Sequence, residues 1–241
     1  MNHETIWRYM DFTKFVALIS SGSLFFCRAD RFEDPFEGSI TTKHYQNQVG
    51  IISALTSDNE NEIKLYEKFG EEYRKHVYIN CWHQNDIESA ALWKIYLKSN
   101  EGICIKSSRF NLSSSLYRSD VPVWTVPVKY IDYQNDDVPM PTKMAPFRYK
   151  RKCFSHENEI RALIYADNSI YKKIKKQSLS EYGISVNVII NELIQEIIVA
   201  PTSPKWFFEL VQHIVKEYYV DAPVKQSAIL IENPIFGTKQ N

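Results

Sequence analysis

Short apolar segments alternate with amphipathic segments along nearly the whole chain, and this alternation limits its fold more than any other feature. VYINCW (77–82) and EIRALIYA (159–166) have the length and the β-branched and aromatic content of buried strands. Elsewhere, apolar residues recur at helical spacing, as at Phe15, Leu18 and Ile19. Strands and helices of this kind bury their apolar faces by packing in layers. We therefore predict an α+β (mixed α/β) fold with a mixed central sheet flanked by helices.

The length of 241 residues fits one large domain. The clearest break in composition is the polar segment NDDVPMPT, which carries two prolines and reads as a turn-rich connection. We predict a single domain over 1–241 with an exposed loop near 135–142. Near the end of the chain, a helix is predicted between EIIVAP and VKQSAILI. Trp206, Leu210 and Ile214 are spaced four residues apart on it, and we predict that they form its buried face.

The overall charge disfavours two broad classes of protein. Lys plus Arg and Asp plus Glu both number 29, so the net charge is zero. A general nucleic-acid coat or a membrane-surface protein is disfavoured, while a local basic patch remains compatible. The N-terminus has no apolar signal core, and no apolar run approaches the roughly 20 residues of a membrane span. We expect a cytoplasmic protein without membrane contact, and the oligomeric state is unknown from these features.

Glycine and cysteine usage narrows the chemistry. The chain has seven glycines and neither a G-x-G-x-x-G nor a G-x-x-x-x-G-K-[ST] motif, which disfavours a glycine-rich nucleotide loop. Its four cysteines form no C-x-x-C pair, and at least three lie in apolar runs. Buried, reduced thiols are the expected state, and we predict no metal site from the cysteines.

The first polar motif is RFEDPFE, at residues 31–37. Asp-Pro after a strand is a turn signal, so Asp34 is expected to accept hydrogen bonds from backbone amides. In the functional interpretation, the same loop presents Asp34 and Glu37 to a cleft.

The second motif, CWHQNDIESAALWKIY, spans residues 81–96 and leads from a strand into a helix. His83 lies where the strand ends, and sites in α/β folds favour such ends. Ser89 can cap the helix, and Glu88 beside it favours the helix dipole. Trp93 and Tyr96 share one helix face. They could line a site, and the alternative interpretation is that they pack in the core.

The third motif, FRYKRKCFSHENEIR, begins with a basic run and ends in a strand. Period-two spacing places Glu157, Glu159 and Arg161 on one face. On a solvent face they would form a salt-bridged edge. In a cleft, a carboxylate pair flanked by positive charge can stabilise a cation or hold a metal. The basic run could contact nucleic acid, and its members are Arg148, Lys150, Arg151 and Lys152.

The order of these motifs resembles a bacterial family labelled domain of unknown function twenty-nine seventy-one. The resemblance covers nearly the whole chain. It is carried by Asp-Pro-Phe-Glu (34–37), Glu-Ser-x-x-x-Trp-x-x-Tyr (88–96) and Glu-x-Glu-x-Arg (157–161). It implies a bacterial protein and no particular activity.

The layout also resembles, at the level of the fold, ADP-ribosyltransferases of the Arg-Ser-Glu or DNA-modifying kind. These place a basic residue or His on the first strand and a Glu at the start of a late strand, positions that Arg8 and Glu159 match here. The resemblance implies an NAD-dependent effector of anti-phage or toxin type that acts on nucleic acid or protein. It implies that Glu159 is the catalytic carboxylate and Glu157 assists it. The implied NAD-binding residues are Arg8, Tyr9, Ser89 and Trp93. Other residues of the cleft would be Asp34, Glu37, His83, Glu88 and Arg161.

Two alternatives belong to other functional classes. A metal-dependent nuclease would use carboxylates from the first and third motifs, with Lys150 or Lys152 beside them. A non-catalytic binding module would use the same polar residues only as caps and bridges. Arg8 beside Glu159 in a cleft would favour the transferase, and Arg8 remote from Glu159 would contradict it. A tight cluster of three carboxylates favours the nuclease, and charges paired on a closed surface favour the module.

Overall fold

The computed structural model describes residues 4–97, 99–177 and 180–229, without the side chains of 174–177. Strands and helices alternate along these residues. The strands are β1 (Thr5–Asp11), β2 (Ser23–Arg28), β3 (Val77–Gln84), β4 (Gly102–Ser108), β5 (Trp124–Pro127), β6 (Lys129–Ile131), β7 (Tyr149–Arg151), β8 (Glu159–Tyr165), β9 (Gly183–Asn187), β10 (Glu196–Val199) and β11 (Val224–Gln226). The helices are α1 (Phe12–Ser21), α2 (Thr42–Leu55), α3 (Asn59–Arg74), α4 (Ala90–Tyr96), α5 (Arg109–Leu116), α6 (Asn168–Gln177), α7 (Ile190–Leu193) and α8 (Lys205–Glu217).

The predicted fold class is confirmed, since helices flank a sheet that has both parallel and antiparallel strand pairs. The described residues form two compact units. Unit 1 comprises 4–23, 84–117 and 188–229, and unit 2 comprises 24–83 and 118–187. The single domain over 1–241 stays a prediction.

In unit 1 the strand order is β11-β10-β4-β1. β10 pairs with β11 in parallel and with β4 antiparallel, and β4 pairs antiparallel with β1. The parallel pair on either side of α8 agrees with the predicted strand–helix–strand arrangement. Local signals set the helix ends: Asp11 accepts from the amide of Lys14 at the start of α1, and Gly22 ends it in the left-handed region.

The buried face of α8 differs from the prediction. Phe207, Val211 and Val215 are buried, whereas Trp206 is 56% exposed and Leu210 also faces solvent. The prediction of Trp206, Leu210 and Ile214 as the buried face is therefore wrong. Both sets have the same spacing of four, so the pattern identified the helix but not which of two adjacent apolar faces packs.

In unit 2 the strand order is β9-β2-β3-β8-β5, and β3 pairs antiparallel with both β2 and β8. The apolar segment over residues 123–133 is divided between two strands: β5 pairs with β8, and β6 forms a separate parallel pair with β7. Pro127 ends β5 because proline cannot donate to a ladder. The segment 135–142 has no helix or strand, and its side chains are half-buried or exposed. Among the described residues, no helix has the length and apolar character to cross a membrane.

Candidate active site

A sharp turn delivers Glu159 to the start of β8. The 3₁₀ helix Lys152–Glu157 ends at Asn158, which adopts a left-handed conformation that asparagine tolerates well. The amide of Glu159 donates to the hydroxyl of Tyr130 at 2.8 Å, and its carbonyl accepts from the amide of Val128 at 2.9 Å. These bonds fix the backbone on both sides of Glu159, so its side chain has a defined starting point.

The guanidinium of Arg161 is fully buried and lies between two carboxylates. Its two Nη atoms donate to the two carboxylate oxygens of Glu37 at 2.6 and 2.8 Å, a bidentate pair. Its Nε donates to Oε2 of Glu159 at 2.8 Å. Nη1 also donates to the carbonyl of Phe147 at 2.9 Å. Burial of such a charge is tolerated because each of its three nitrogens donates to an acceptor, and two of the acceptor groups are carboxylates.

Lys150 joins the second pair of carboxylates. Its ammonium is almost buried, pairs closely with Oε2 of Glu157 and lies 3.3 Å from Oε1 of Glu159. Burial would lower the pKa of Lys150, but the charges of Glu159 and Glu157 outweigh burial and raise it. Lys150 is therefore a permanent cation. Five side chains thus form one cluster, with three carboxylates and two cations.

The two glutamates of Glu-x-Glu have pKa values displaced in opposite directions. Burial alone would raise the pKa of Glu159, which is 8% exposed, but the charges of Arg161 and then Lys150 outweigh it and lower the pKa. For Glu157, burial dominates and raises the pKa, opposed by the hydrogen bond from Lys150 and supported by the charge of Glu159. Glu159 is the fixed anion of the pair, and Glu157 is the one closer to taking up a proton.

The loop after β2 brings Glu37 to this cluster. Asp34 folds the turn: its Oδ1 accepts from the amide of Phe36 at 3.0 Å, and its carbonyl accepts from the amide of Glu37 at 3.0 Å. Gly38 follows with a φ of 70°, and a Cβ there would overlap the ring of Phe147. The expectation that Asp34 holds backbone amides is confirmed.

His83 contacts the other end of the cluster through the backbone. It lies opposite Glu159 in the β3–β8 pairing, and its Nδ1 is 2.6 Å from the carbonyl oxygen of Glu157. Burial lowers the pKa of His83, so the neutral ring is favoured. His83 therefore holds the backbone of the Glu-x-Glu segment.

The other predicted residues of the second motif, Glu88, Ser89 and Trp93, lie in unit 1. Glu88 Oε2 accepts from the indole Nε1 of Trp93 at 2.9 Å and from the hydroxyl of Ser227 at 2.5 Å. The amide of Ser89 donates to the hydroxyl of Tyr9 at 2.7 Å, and the hydroxyl of Ser89 accepts from the amide of Leu92, as predicted for a cap. The rings of Tyr9 and Trp93 pack edge to face in the core, with centroids 5.0 Å apart.

Arg8 lies on β1 of unit 1, half-buried, opposite Ile105 of β4. Tyr9, Ser89 and Trp93 are held in unit 1 by the hydrogen bonds and ring contacts described above. The NAD-binding role of all four residues stays a prediction.

The basic run divides into an inner and an outer part. Lys150 is buried in the carboxylate cluster and does not present its charge to solvent. Arg151 pairs with Asp34 at 3.0 Å, and its guanidinium lies between the rings of Phe36 and Phe154. Arg148 and Lys152 are exposed, and Lys152 pairs with Asp136 at 3.2 Å. Nucleic-acid contact through the basic run stays a prediction. Of its members, the exposed Arg148 and Lys152 are the ones that could make it.

Unit 2 thus brings together five predicted residues: Glu37, His83, Glu157, Glu159 and Arg161. Sequence reasoning assigned Lys150 only to a nucleic-acid surface or a nuclease, and it missed Tyr130, which binds the amide of Glu159. No motif marks Tyr130, because it lies in a short strand that only the fold brings to β8. In the described part of the chain, no group of three or more His, Cys, Asp or Glu side chains could hold a metal ion.

Comparisons with known proteins yield structural likenesses only. No family model and no curated protein match the chain, so the resemblance to domain of unknown function twenty-nine seventy-one stays a prediction. The structure is similar to that of Thermus sp. 2.9 DarT in complex with ADP-ribosylated single-stranded DNA. The TM-score is 0.44 at 10% identity, over 94% of this chain and 95% of that chain.

Two further DarT structures from Thermus sp. 2.9 are also similar. The complex with NAD+ has a TM-score of 0.42 at 8% identity, over 93% of this chain and 96% of that chain. The complex with carba-NAD+ has a TM-score of 0.39 at 8% identity, over 94% and 96% of the two chains. No residue role is carried over from likenesses of this size.

Proposed function

We propose that this chain is an NAD-dependent, ADP-ribosyltransferase-like enzyme in which Glu159 is the catalytic carboxylate and Glu157 assists it. The observation that supports the proposal is the charge of the cluster in unit 2. Three carboxylates share two cations, so one negative charge is left over among these five side chains when all are ionised. A buried surplus of negative charge stabilises a positive charge that develops beside it.

Glu159 supplies that charge. Its lowered pKa keeps it ionised at neutral pH, and its oxygens accept hydrogen bonds from Nζ of Lys150 and Nε of Arg161. A carboxylate has about four lone-pair sites. In the proposed complex, a ribose hydroxyl donates to a remaining lone pair of Glu159 while Arg161 and Lys150 stay in place.

Glu157 is suited to accept a proton. A general base works best when its pKa approaches the working pH, and burial moves the pKa of Glu157 in that direction. It is also the more exposed of the pair, with 21% of its side chain accessible, so an acceptor group can reach it. Two carboxylates with oppositely displaced pKa values are a recurring way to divide such roles.

NAD would supply an ADP-ribosyl group on a positively charged nicotinamide leaving group. Arg8 is the proposed anchor for its phosphate or ribose, because a guanidinium binds such groups by paired hydrogen bonds. Tyr9, Ser89 and Trp93 complete the proposed NAD-binding set in unit 1. Binding by Arg8 lowers KM, whereas Glu159 acts mainly in the transition state and raises kcat.

The proposed acceptor is nucleic acid or protein, and the effector would be of toxin or anti-phage type. Exposed cations beside the site, Arg148 and Lys152, favour the nucleic acid. The ligands in the similar DarT structures, NAD+ and single-stranded DNA, are the first probes to use.

Incubation of the purified protein with NAD+ tests the proposal, with single-stranded DNA, a protein lysate or no acceptor present. Mass spectrometry should detect free nicotinamide together with ADP-ribose added to one acceptor. If calorimetry shows no NAD+ binding at millimolar concentration and no nicotinamide is released, the proposal is wrong. The polar residues then serve as caps and bridges of a binding module. The nuclease has less support, because each carboxylate of the cluster already pairs with a cation.

A further inference from the structure

The Glu37–Arg161 pair holds the buried guanidinium in one orientation. Arg161 is held by four hydrogen bonds from three different parts of unit 2: the loop after β2, the carbonyl of Phe147 and β8 itself. The bidentate contact with Glu37 fixes the plane of the guanidinium, because two parallel bonds leave it no rotation. Only one donor, Nε, is directed to Glu159.

Glu37 is itself fixed before it meets Arg161. The Asp34 turn sets its backbone amide, and Gly38 allows the chain to pass directly against Phe147. Phe147 in turn provides the carbonyl that accepts from Nη1 of Arg161. The loop that carries Glu37, the guanidinium of Arg161 and the 3₁₀ helix Ala145–Arg148 therefore restrict one another's movement. A loop that served only to cover the core would not need a fully buried carboxylate at this position.

Resting on the proposed function, we propose that Glu37 and Arg161 are positioning residues for catalysis: Glu37 orients the guanidinium of Arg161, which orients the carboxylate of Glu159. Neither residue needs to touch the substrate, because both side chains are fully buried. The other oxygen of Glu159, Oε1, contacts Lys150, and Lys150 is itself paired with Glu157. The carboxylate of Glu159 is thus held at both oxygens. Glu37 acts on one oxygen through Arg161, and Glu157 acts on the other through Lys150.

The test uses Glu37→Gln, which keeps the shape of the side chain and replaces one guanidinium acceptor by an amide. Misplacement of a reacting group by about 1 Å costs on the order of a hundred-fold in rate. We expect kcat for NAD+ turnover to fall about ten- to a hundred-fold, with KM for NAD+ changed less than about three-fold. The matched control is Asp30→Asn, since Arg28 and Asp30 form another bidentate pair in unit 2, at 2.6 and 2.9 Å. Its kcat should equal that of the wild type.

A second measurement does not depend on activity. The Nε–H of Arg161 donates to Glu159 inside the protein, so its NMR signal should be resolved and exchange slowly with water. In Glu37→Gln its exchange should be at least about ten-fold faster. If Glu37→Gln does not fold, Glu37→Asp replaces it, because it keeps the charge and shortens the reach by one methylene.

The outcomes separate the two proposals. Wild-type kcat in Glu37→Gln, or unchanged exchange of the Arg161 Nε–H, contradicts the positioning role. A wild-type protein that never releases nicotinamide contradicts the proposed function, and the exchange measurement then still decides whether Glu37 orients Arg161.

Discussion

Glu159 and Glu196 occupy equivalent positions in different strands, and only one of them is a candidate for chemistry. Each is the first residue of its strand, β8 in unit 2 and β10 in unit 1. Each carboxylate meets two cations: Arg161 and Lys150 bind Glu159, whereas Lys106 and Lys225 bind Glu196 at 3.1 and 3.0 Å. The pKa of each is lowered, because cations outweigh burial in both places.

The difference lies in the side chains around the cations. The cations of Glu159 also bind Glu37 and Glu157, so carboxylates outnumber cations. The cations of Glu196 outnumber its single carboxylate. The Glu196 side chain is 23% exposed, against 9% for Glu159. A strand-initial glutamate between two cations thus also occurs outside the candidate site, and the surplus of buried negative charge is what distinguishes Glu159 from Glu196.

The largest expected effect is on stability when the buried cation is removed. Arg161→Met leaves Glu37 and Glu159 without their shared partner, and breaking a buried ion pair from one side costs about 3–5 kcal/mol. Lys225→Met removes an exposed partner of Glu196, for which about 0–1 kcal/mol is expected. Urea denaturation measures both. A loss below about 1 kcal/mol for Arg161→Met would mean that the two clusters do not differ in energetic character.

The next largest expected effect is a difference between Glu159 and Glu196 in how their contributions to stability depend on pH. A folded-state pKa below the unfolded one gives stability that is complete above the unfolded pKa and is lost as the pH falls through the folded pKa. Glu159 should therefore stabilise the protein at neutral pH and lose this contribution under acidic conditions. Glu157, with a raised pKa, should have the opposite sign and favour the folded state at low pH.

Urea titrations from neutral to acidic pH, on wild type, Glu159→Gln and Glu196→Gln, measure this. The gap in unfolding free energy between wild type and Glu159→Gln should narrow as the pH falls, and the corresponding gap for Glu196→Gln should change less. Equal pH dependence of the two gaps would remove the electrostatic distinction between the glutamates.

The smallest effect is that of salt. The Debye length falls from about 10 Å at 0.1 M to about 3 Å at 1 M, which screens exposed charges and hardly affects buried ones. Double-mutant cycles should give Glu196–Lys225 a coupling of a few tenths of a kcal/mol that disappears in 1 M salt. The Glu159–Arg161 coupling should persist. Its disappearance in salt would show that the cluster is open to solvent.

Local patterns predicted the parts of the site that depend on a single segment. The spacing of Glu159 and Arg161 placed both on one face of a strand, and the Asp-Pro pair marked the turn at Asp34. Glu157 was predicted on the same strand face, but it lies in the 3₁₀ helix before β8. The strand–helix–strand unit of β10, α8 and β11 followed from two apolar segments around a helix, and the structure adds that its strands are parallel. Each of these depends on residues within a few positions of one another, where propensity and periodicity act directly.

Features that depend on tertiary packing could not be predicted from the sequence. The helix α8 has two adjacent apolar faces, and only packing selects the one with Phe207 and Val211. Lys150 looked like part of a surface patch until β7 placed it against Glu157 and Glu159. Ser203 is of a residue type that often caps helices, but its hydroxyl donates to the carbonyl of Asn100, and α8 begins at Lys205. In each case a distant partner outweighs the local signal.

The central claim, that Glu159 is catalytic and its structural counterpart is not, is tested most directly by NAD+ turnover in Glu159→Gln and Glu196→Gln. Both changes keep the shape of the side chain and remove one negative charge beside two cations. We predict a loss of about 10²–10³ in kcat for Glu159→Gln, typical of one electrostatic group at a transition state, and wild-type kcat for Glu196→Gln. Thermal melts should show both variants folded. Equal turnover by a folded Glu159→Gln and the wild type would contradict the account and leave Glu159 as a structural bridge between Arg161 and Lys150.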